Sequence, residues 1–189
     1  MTTDVRNRRI HAMDSGLLLL RLVVGLLIAG HGVQKVSFRL GGSGLAGGTE
    51  EFRRDGFRGG QLTALAAGGS QIGAGLFLAA GLLTPLAATA AMGVMTVAGT
   101  VKWHNGLWVQ HDGYEYPSVL VAVAAALALT GPGKWSLDHA LGPVTWPLWV
   151  SLAAIVIGPA SGLVTRAVLS RPTAGDPTNE RTRHAQAAD

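Results

Sequence analysis

Residues 15–36 read SGLLLLRLVVGLLIAGHGVQKV, a continuous apolar run that is long enough to cross the roughly 30 Å hydrocarbon core of a bilayer as one helix. A basic tail, residues 1–14, precedes the run, so a cleaved signal peptide is the competing interpretation. Arg21 interrupts the apolar stretch, however, and Leu27-Ile28-Ala29 is a poor cleavage site. The sequence therefore predicts an uncleaved first membrane helix.

Three further apolar runs form the rest of a predicted four-helix transmembrane bundle. Residues 62–83 end at Thr84-Pro85, where proline closes one helix and can open the next, so residues 86–103 complete a tight helical hairpin. Residues 116–130 are short for a bilayer, and we expect the helix to begin within residues 113–115. The predicted membrane domain spans residues 15–141.

A fifth apolar run follows this domain. Residues 144–168 have Trp146 and Trp149 near one end and Arg166 near the other, as expected for interfacial anchors. A helix lying along the membrane surface is the alternative, but residues 152–157 are apolar on every side, whereas a surface helix needs a polar face. We therefore predict an additional transmembrane helix within residues 142–169 and a disordered tail over residues 170–189.

The composition agrees with an all-α membrane protein of one domain. Hydrophobic residues make up 48% of the 189 residues, charged residues 14%, and the mean hydropathy is +0.33. The net charge of +4 does not indicate nucleic-acid binding, because the basic residues lie between and beyond the apolar runs. We expect the lipid bilayer as a partner, and the abundant glycines also suggest close helix contacts and a homo-oligomer.

Five spans place the segment after the first helix, the segment from residue 103 to 115 and the C-terminal tail on one side, which we name the loop face. The opposite side, where the hairpin turns, is the hairpin face. Ten lysines and arginines lie on the loop face and four on the hairpin face, which predicts a cytoplasmic loop face in a multi-pass protein of the inner (plasma) membrane.

The chain has no cysteine, which excludes thiolate catalysis, disulfides and cysteine-bound zinc or iron–sulfur clusters. Any redox role would need a quinone, a haem or a partner protein. His104 and His111 lie beside Trp103 and Trp108, but interfacial histidines near aromatic residues are common, and we predict no metal site.

Residues 42–47 read GSGLAG and match the G-x-G-x-x-G pattern of dinucleotide-binding proteins. That pattern needs a preceding strand, whereas a membrane helix precedes it here. We interpret the glycines as a flexible or tightly turning extramembrane loop.

Polar residues within the helices are the candidate functional groups, because a charge at bilayer depth is costly unless it is paired, hydrated or able to reach the interface. At 100° per residue, four such side chains of the first helix fall within an arc of about 140°. They are Arg21, His31, Gln34 and Lys35. Gln71 lies near the middle of the second span, where a hydrogen bond between helices is its simplest role.

Several ordered motifs resemble the DoxX family of small bacterial membrane proteins over residues 16–141. They are Leu20-Arg21-Leu22, His31-Gly32 with Lys35, residues 81–85 (GLLTP), residues 113–117 (GYEYP) and residues 131–138 (GPGKWSLD). The family pattern usually has a glutamate where this chain has Gln71, which weakens a proton-handling role at that position. The stretch from Pro143 onward extends beyond the usual four-helix core.

This resemblance implies a four-helix membrane bundle, and family members have been linked to quinone-coupled thiosulfate oxidation, terminal oxidases and oxidative-stress assemblies with soluble redox enzymes. The leading hypothesis is a membrane subunit of a respiratory or oxidative-stress assembly with a quinone or small-molecule pocket. The alternatives are a permeation or transport protein for a small solute or proton, and a non-catalytic membrane scaffold.

Connectivity predicts a polar cluster on the loop face, where the first and third helices end and the fourth begins. We expect Lys35 and Glu115 to interact there, directly or through water, and to line a functional pocket with His31 and Gln71. The further candidates at this rim are Trp103, His104 and Tyr114.

Overall fold

The computed structural model describes residues 2–142 and 145–170. The tail that was expected to be disordered lies outside these ranges except for Ser170. The described residues form seven α-helices and no β-strand. The helices are α1 (Thr2–Val36), α2 (Gly44–Arg54), α3 (Gln61–Ala80), α4 (Thr84–Lys102), α5 (Glu115–Thr130), α6 (Leu137–Ala140) and α7 (Leu148–Leu169).

Four of these segments are long and apolar enough to cross a membrane. They are Ile10–Val36, Gln61–Ala80, Thr84–Asn105 and Leu148–Leu169. The shorter apolar helix α5, with 16 residues, completes the predicted bundle. The predicted fold class, a helical membrane bundle with an additional helix near the C-terminus, is confirmed.

Two segments differ from the expectation. α1 begins at Thr2, because no proline or glycine interrupts the basic segment before Ser15, so the expected tail continues the first span as helix. The glycine-rich segment is not a flexible loop either, since α2 starts at Gly44 and continues to Arg54. Its buried residues, Gly48 among them, let this helix lie directly on the end of α1.

Contacts at both ends show that α7 runs the full height of the bundle. Near its start, Ser151 Oγ donates to the carbonyl of Ala128 at the end of α5, at 2.6 Å. At its other end, the Leu169 carbonyl accepts from the backbone N–H of Arg58, at 2.7 Å. The start of α7 therefore lies at the hairpin face and its end at the loop face.

Small residues set the distances between the helices. A β carbon at Gly25 of α1 would lie 2.5 Å from the Gly75 carbonyl oxygen of α3, and a β carbon at Gly32 would lie equally close to the Gly68 carbonyl oxygen. α4 and α7 meet in the same way, because a β carbon at Gly93 would lie 2.7 Å from Ser161 Oγ. Backbones that are this close gain packing contacts where lipid provides no hydrophobic drive.

This close contact predicts that alanine substitution affects stability differently at two glycines of α3. Gly75→Ala should lower the stability of the detergent-solubilised protein by about 1–3 kcal/mol, because the added methyl group overpacks the contact with α1. Gly73→Ala is the matched control, since a β carbon there has no neighbour within 4 Å. Thermal unfolding followed by size-exclusion chromatography measures both, and equal stabilities would contradict the close contact.

Candidate functional site

Lys35 at the end of α1 is paired with α2. Its Nζ lies 2.9 Å from Glu51 Oε1 and 5.0 Å from the centre of the Phe52 ring. A β carbon at Gly48 would collide with the Lys35 carbonyl oxygen, so α2 rests directly on the end of α1. The ammonium thus gains both an ion pair and a cation–π contact on the loop face.

The expected pair of Lys35 and Glu115 is wrong, because each side chain has a nearer partner. Glu115 Oε2 accepts a hydrogen bond from the Val109 N–H at 3.0 Å, and the Glu115 N–H donates to the Leu107 carbonyl at 2.8 Å. The segment before α5 therefore folds back on its own helix start. The prediction failed because the glycine-rich segment was interpreted as a loop, so Glu51 was not considered.

The aromatic candidates lie together on the loop face. The rings of Trp103 and Tyr114 stack with centroids 4.8 Å apart, and Trp103 remains 63% exposed. His104 is exposed on the 3₁₀ turn that directly follows α4. These three side chains share the predicted rim, but they do so at its outer surface rather than in the bundle interior.

A charged cleft of about 300 Å³ opens between the end of α2 and the end of α4. Lys102 forms an ion pair with Asp112 at one wall, and Glu51 with its partner Lys35 forms the other. The lining residues are Glu51, Arg54, Asp55, Val101, Lys102, Asn105 and Asp112. Sequence reasoning missed this cleft, although the charges of residues 50–55 at helical spacing were a signal for α2.

Asp55 connects this cleft with α7. Its backbone carbonyl accepts a hydrogen bond from Arg166 Nη1 at 2.8 Å, and the Arg166 guanidinium lies 4.5 Å from the centre of the Phe57 ring. Burial raises the pKa of the Asp55 carboxyl above its ordinary value, and repulsion from Glu51 adds to the shift. Nearby cations, chiefly Lys35 and Arg166, oppose it.

Three polar side chains of α1, α3 and α5 lie below the loop face, and we name them the interior polar cluster: His31, Gln71 and Tyr116. The rings of His31 and Tyr116 have centroids 5.4 Å apart, and Gly32 beside His31 packs against Gln71. Gln71 is only 3% exposed. Among the described residues, neither Gln71 Oε1 nor Tyr116 Oη has a hydrogen-bond partner, although both atoms are buried.

The other two candidates of α1 lie outside this cluster. Gln34 Nε2 donates to the Leu40 carbonyl at 2.7 Å and so fastens the chain that leaves α1. Arg21 lies fourteen residues before Lys35, roughly 21 Å away at 1.5 Å per residue, and its side chain is fully buried at the hairpin end. The structure therefore separates Arg21 from the loop-face candidates.

The comparison with family models matches residues 16–105 to the model described as DoxX. This match supports membership of the DoxX family. The DoxX match covers just under half of the chain, from the first span to the end of the third, and it includes His31, Lys35 and Gln71. Searches of curated proteins and of solved structures gave no match.

Two side chains that complete the helix bundle lie outside the matched residues. Tyr116 of the interior polar cluster belongs to α5, and Arg166, which bonds to the Asp55 carbonyl, belongs to α7. Tyr116 was part of a motif that the sequence analysis quoted, yet it was not selected as a site residue.

The corrected ion pair can be tested by two double-mutant cycles on stability. Lys35→Met and Glu51→Gln should show a coupling energy of about 0.5–1 kcal/mol, because the pair is only partly shielded from water. Lys35→Met and Glu115→Gln form the control cycle and should be additive within about 0.5 kcal/mol. Coupling to Glu115 alone would restore the original pairing.

The raised pKa of Asp55 predicts a pH dependence of stability. The folded protein holds this proton more tightly than the unfolded chain, so ionising the carboxyl lowers stability as pH rises from the ordinary aspartate range to the raised value. We expect Asp55→Asn to gain thermal stability relative to the wild type as the pH rises above the ordinary aspartate pKa of about 3.9. Glu50→Gln in the same helix is the control, and an identical pH profile for wild type and Asp55→Asn would contradict the shift.

Proposed function

We propose that the protein is an integral subunit of a respiratory or oxidative-stress redox assembly in the plasma membrane, and that its interior polar cluster binds a quinone or a similar small molecule. One observation carries the proposal: Gln71 Oε1 and Tyr116 Oη are buried hydrogen-bonding atoms that have no hydrogen-bond partner within residues 2–142 and 145–170. Leaving such groups unsatisfied costs about 1–3 kcal/mol each, so polar atoms from a ligand would stabilise the site.

The donor and acceptor pattern of the cluster suits a quinone. A quinone carbonyl accepts hydrogen bonds, and a hydroquinone hydroxyl also donates them. The Tyr116 hydroxyl can donate to the former, and Gln71 Oε1 can accept from the latter. The neighbouring ring of His31 adds an aromatic surface. The chemistry of electron transfer would come from the bound quinone, since the chain has no cysteine.

The loop face supports the second part of the proposal, which is a soluble redox enzyme as partner. α2 and the ion pairs at the cleft order this surface, and Trp103 leaves an aromatic side chain exposed beside it. A preorganised surface with charges of both signs loses little entropy on docking and favours a partner of complementary charge. A homo-oligomer within the assembly remains part of the proposal.

The alternative of a permeation path receives less support from the bundle interior. Between the interior polar cluster and Arg21 lies an apolar layer of fully buried side chains, which includes Ile28, Leu78 and Met92. Such a layer does not favour a continuous file of water across the bundle. Solute flux in liposomes would nevertheless establish transport, and copurifying proteins without ligand or flux would establish a scaffold.

The quinone site can be tested in protein purified in mild detergent. Lipid extraction and mass spectrometry should detect a quinone, and titration with a short-chain quinone should give an affinity that Tyr116→Phe weakens about two- to tenfold, the effect of losing one hydrogen bond. Tyr114→Phe is the matched control, because these are the two tyrosines of the chain and Tyr114 stacks on the surface. Absence of binding, or equal losses in both variants, would refute the site.

A further inference from the structure

The segment from residue 131 to 138, which we name the strap, folds back over the hairpin end of the bundle. Asp14 Oδ1 of α1 accepts a hydrogen bond from the Lys134 N–H at 3.0 Å, and Arg21 Nη2 donates to the Trp135 carbonyl. The Asp138 N–H donates to the Gly81 carbonyl at 2.9 Å. Asp14 and Arg21 of α1 therefore hold the backbone of the strap, which is far from them in the sequence.

Asp138 fastens the end of the strap to the start of α4. Its carboxylate accepts hydrogen bonds from the N–H groups of Leu83 and Thr84, at 2.7 and 3.0 Å, and from the Thr84 hydroxyl at 2.9 Å. These N–H groups would otherwise have no partner at a helix N-terminus, and the helix dipole there favours a negative charge. The carboxylate is thereby fixed in place and is only 4% exposed.

The two ends of the bundle consequently differ in how far water can enter. At the hairpin end, Arg21 and Thr84 are fully buried, and Ser136 of the strap is 8% exposed. At the loop end, His31 and Tyr116 are only partly buried, and 20% of the Lys35 side chain is exposed. Between the two ends lies the apolar layer, to which Ala88 and Leu127 also belong.

We infer that the interior polar cluster is reached from the loop face only, and that Arg21 keeps the opposite end closed by holding the strap against the bundle. Arg21 is suited to this because its long side chain reaches the strap from within α1, while Gly81 leaves room for the guanidinium, with which a β carbon there would collide. The charge of Asp138 lies near enough to attract it. A ligand of the cluster would thus enter the bundle from one end only.

This inference goes beyond the proposed function, since it concerns access and holds for any ligand of the cluster. It also differs from a purely structural role of Arg21. A structural residue would affect unfolding alone, whereas a closing residue controls which side of the membrane can reach buried positions beneath the strap while the rest of the bundle stays folded.

The absence of cysteine makes the test direct, because each probe is then the single thiol of the chain. His31→Cys probes the interior polar cluster, and Ala88→Cys probes the apolar layer, in which Ala88 is fully buried. Each variant is treated with a membrane-impermeant maleimide in vesicles of known orientation. We expect His31→Cys to react from the loop face only, and Ala88→Cys to react from neither face.

Arg21→Met should then raise the labelling rate of Ala88→Cys from the hairpin face at least about tenfold, because labelling follows the population of the open strap. Lys134→Met is the matched control, since it removes an exposed cation from the strap and leaves the backbone bond to Asp14 in place. It should leave the labelling rate unchanged.

Two further measurements keep the test decisive. If Arg21→Met does not fold, Asp138→Asn loosens the same strap from its other attachment and should expose Ala88→Cys in the same way. Loop-face labelling of His31→Cys in each background reports that the bundle is still folded. Labelling of His31→Cys from the hairpin face, or equal rates for Arg21→Met and Lys134→Met, would overturn the inference. The labelling experiments use no quinone, so they can support this inference even if the protein binds no quinone.

Discussion

The approach of the α1 backbone to the α3 backbone is the contact on which the rest of the bundle depends. Gly25 faces Gly75 and Gly32 faces Gly68, at distances that leave no space for a β carbon. This crossing sets the height of α3 against α1 and so places Gln71 beside Gly32 rather than in lipid. Because helices in lipid associate through packing and hydrogen bonds, the polar interior is a consequence of how closely these backbones meet.

The spans themselves could be predicted from the sequence, because hydrocarbon thickness translates directly into the length of an apolar run. The hairpin at Thr84-Pro85 could also be predicted, since proline at the first turn of a helix is a local signal. Even the burial of Arg21 followed partly from its position, because a charge so far inside an apolar run must find a partner or reach the interface.

The partners of the polar residues could not be predicted in the same way. Lys35 finds Glu51 because a glycine-rich segment forms a helix when packed on the end of α1, a tertiary effect that overrides low helix propensity. Arg21 finds the carbonyl of Trp135, a backbone group that carries no sequence signal at all. Helical periodicity placed Arg21 and Lys35 on one face of the helix. It could not show that the two side chains make their contacts at opposite ends of the bundle.

The close contact of α7 with α4 changes how the fifth helix should be regarded. Gly93 of α4 has no side chain, which leaves room for the backbone of α7. Arg166 of α7 donates the hydrogen bond that the Asp55 carbonyl accepts. A chain that ended before α7 would present a narrow groove to lipid and leave that carbonyl without its donor. The fifth helix is therefore an integral part of the bundle rather than an appendage to a finished four-helix core.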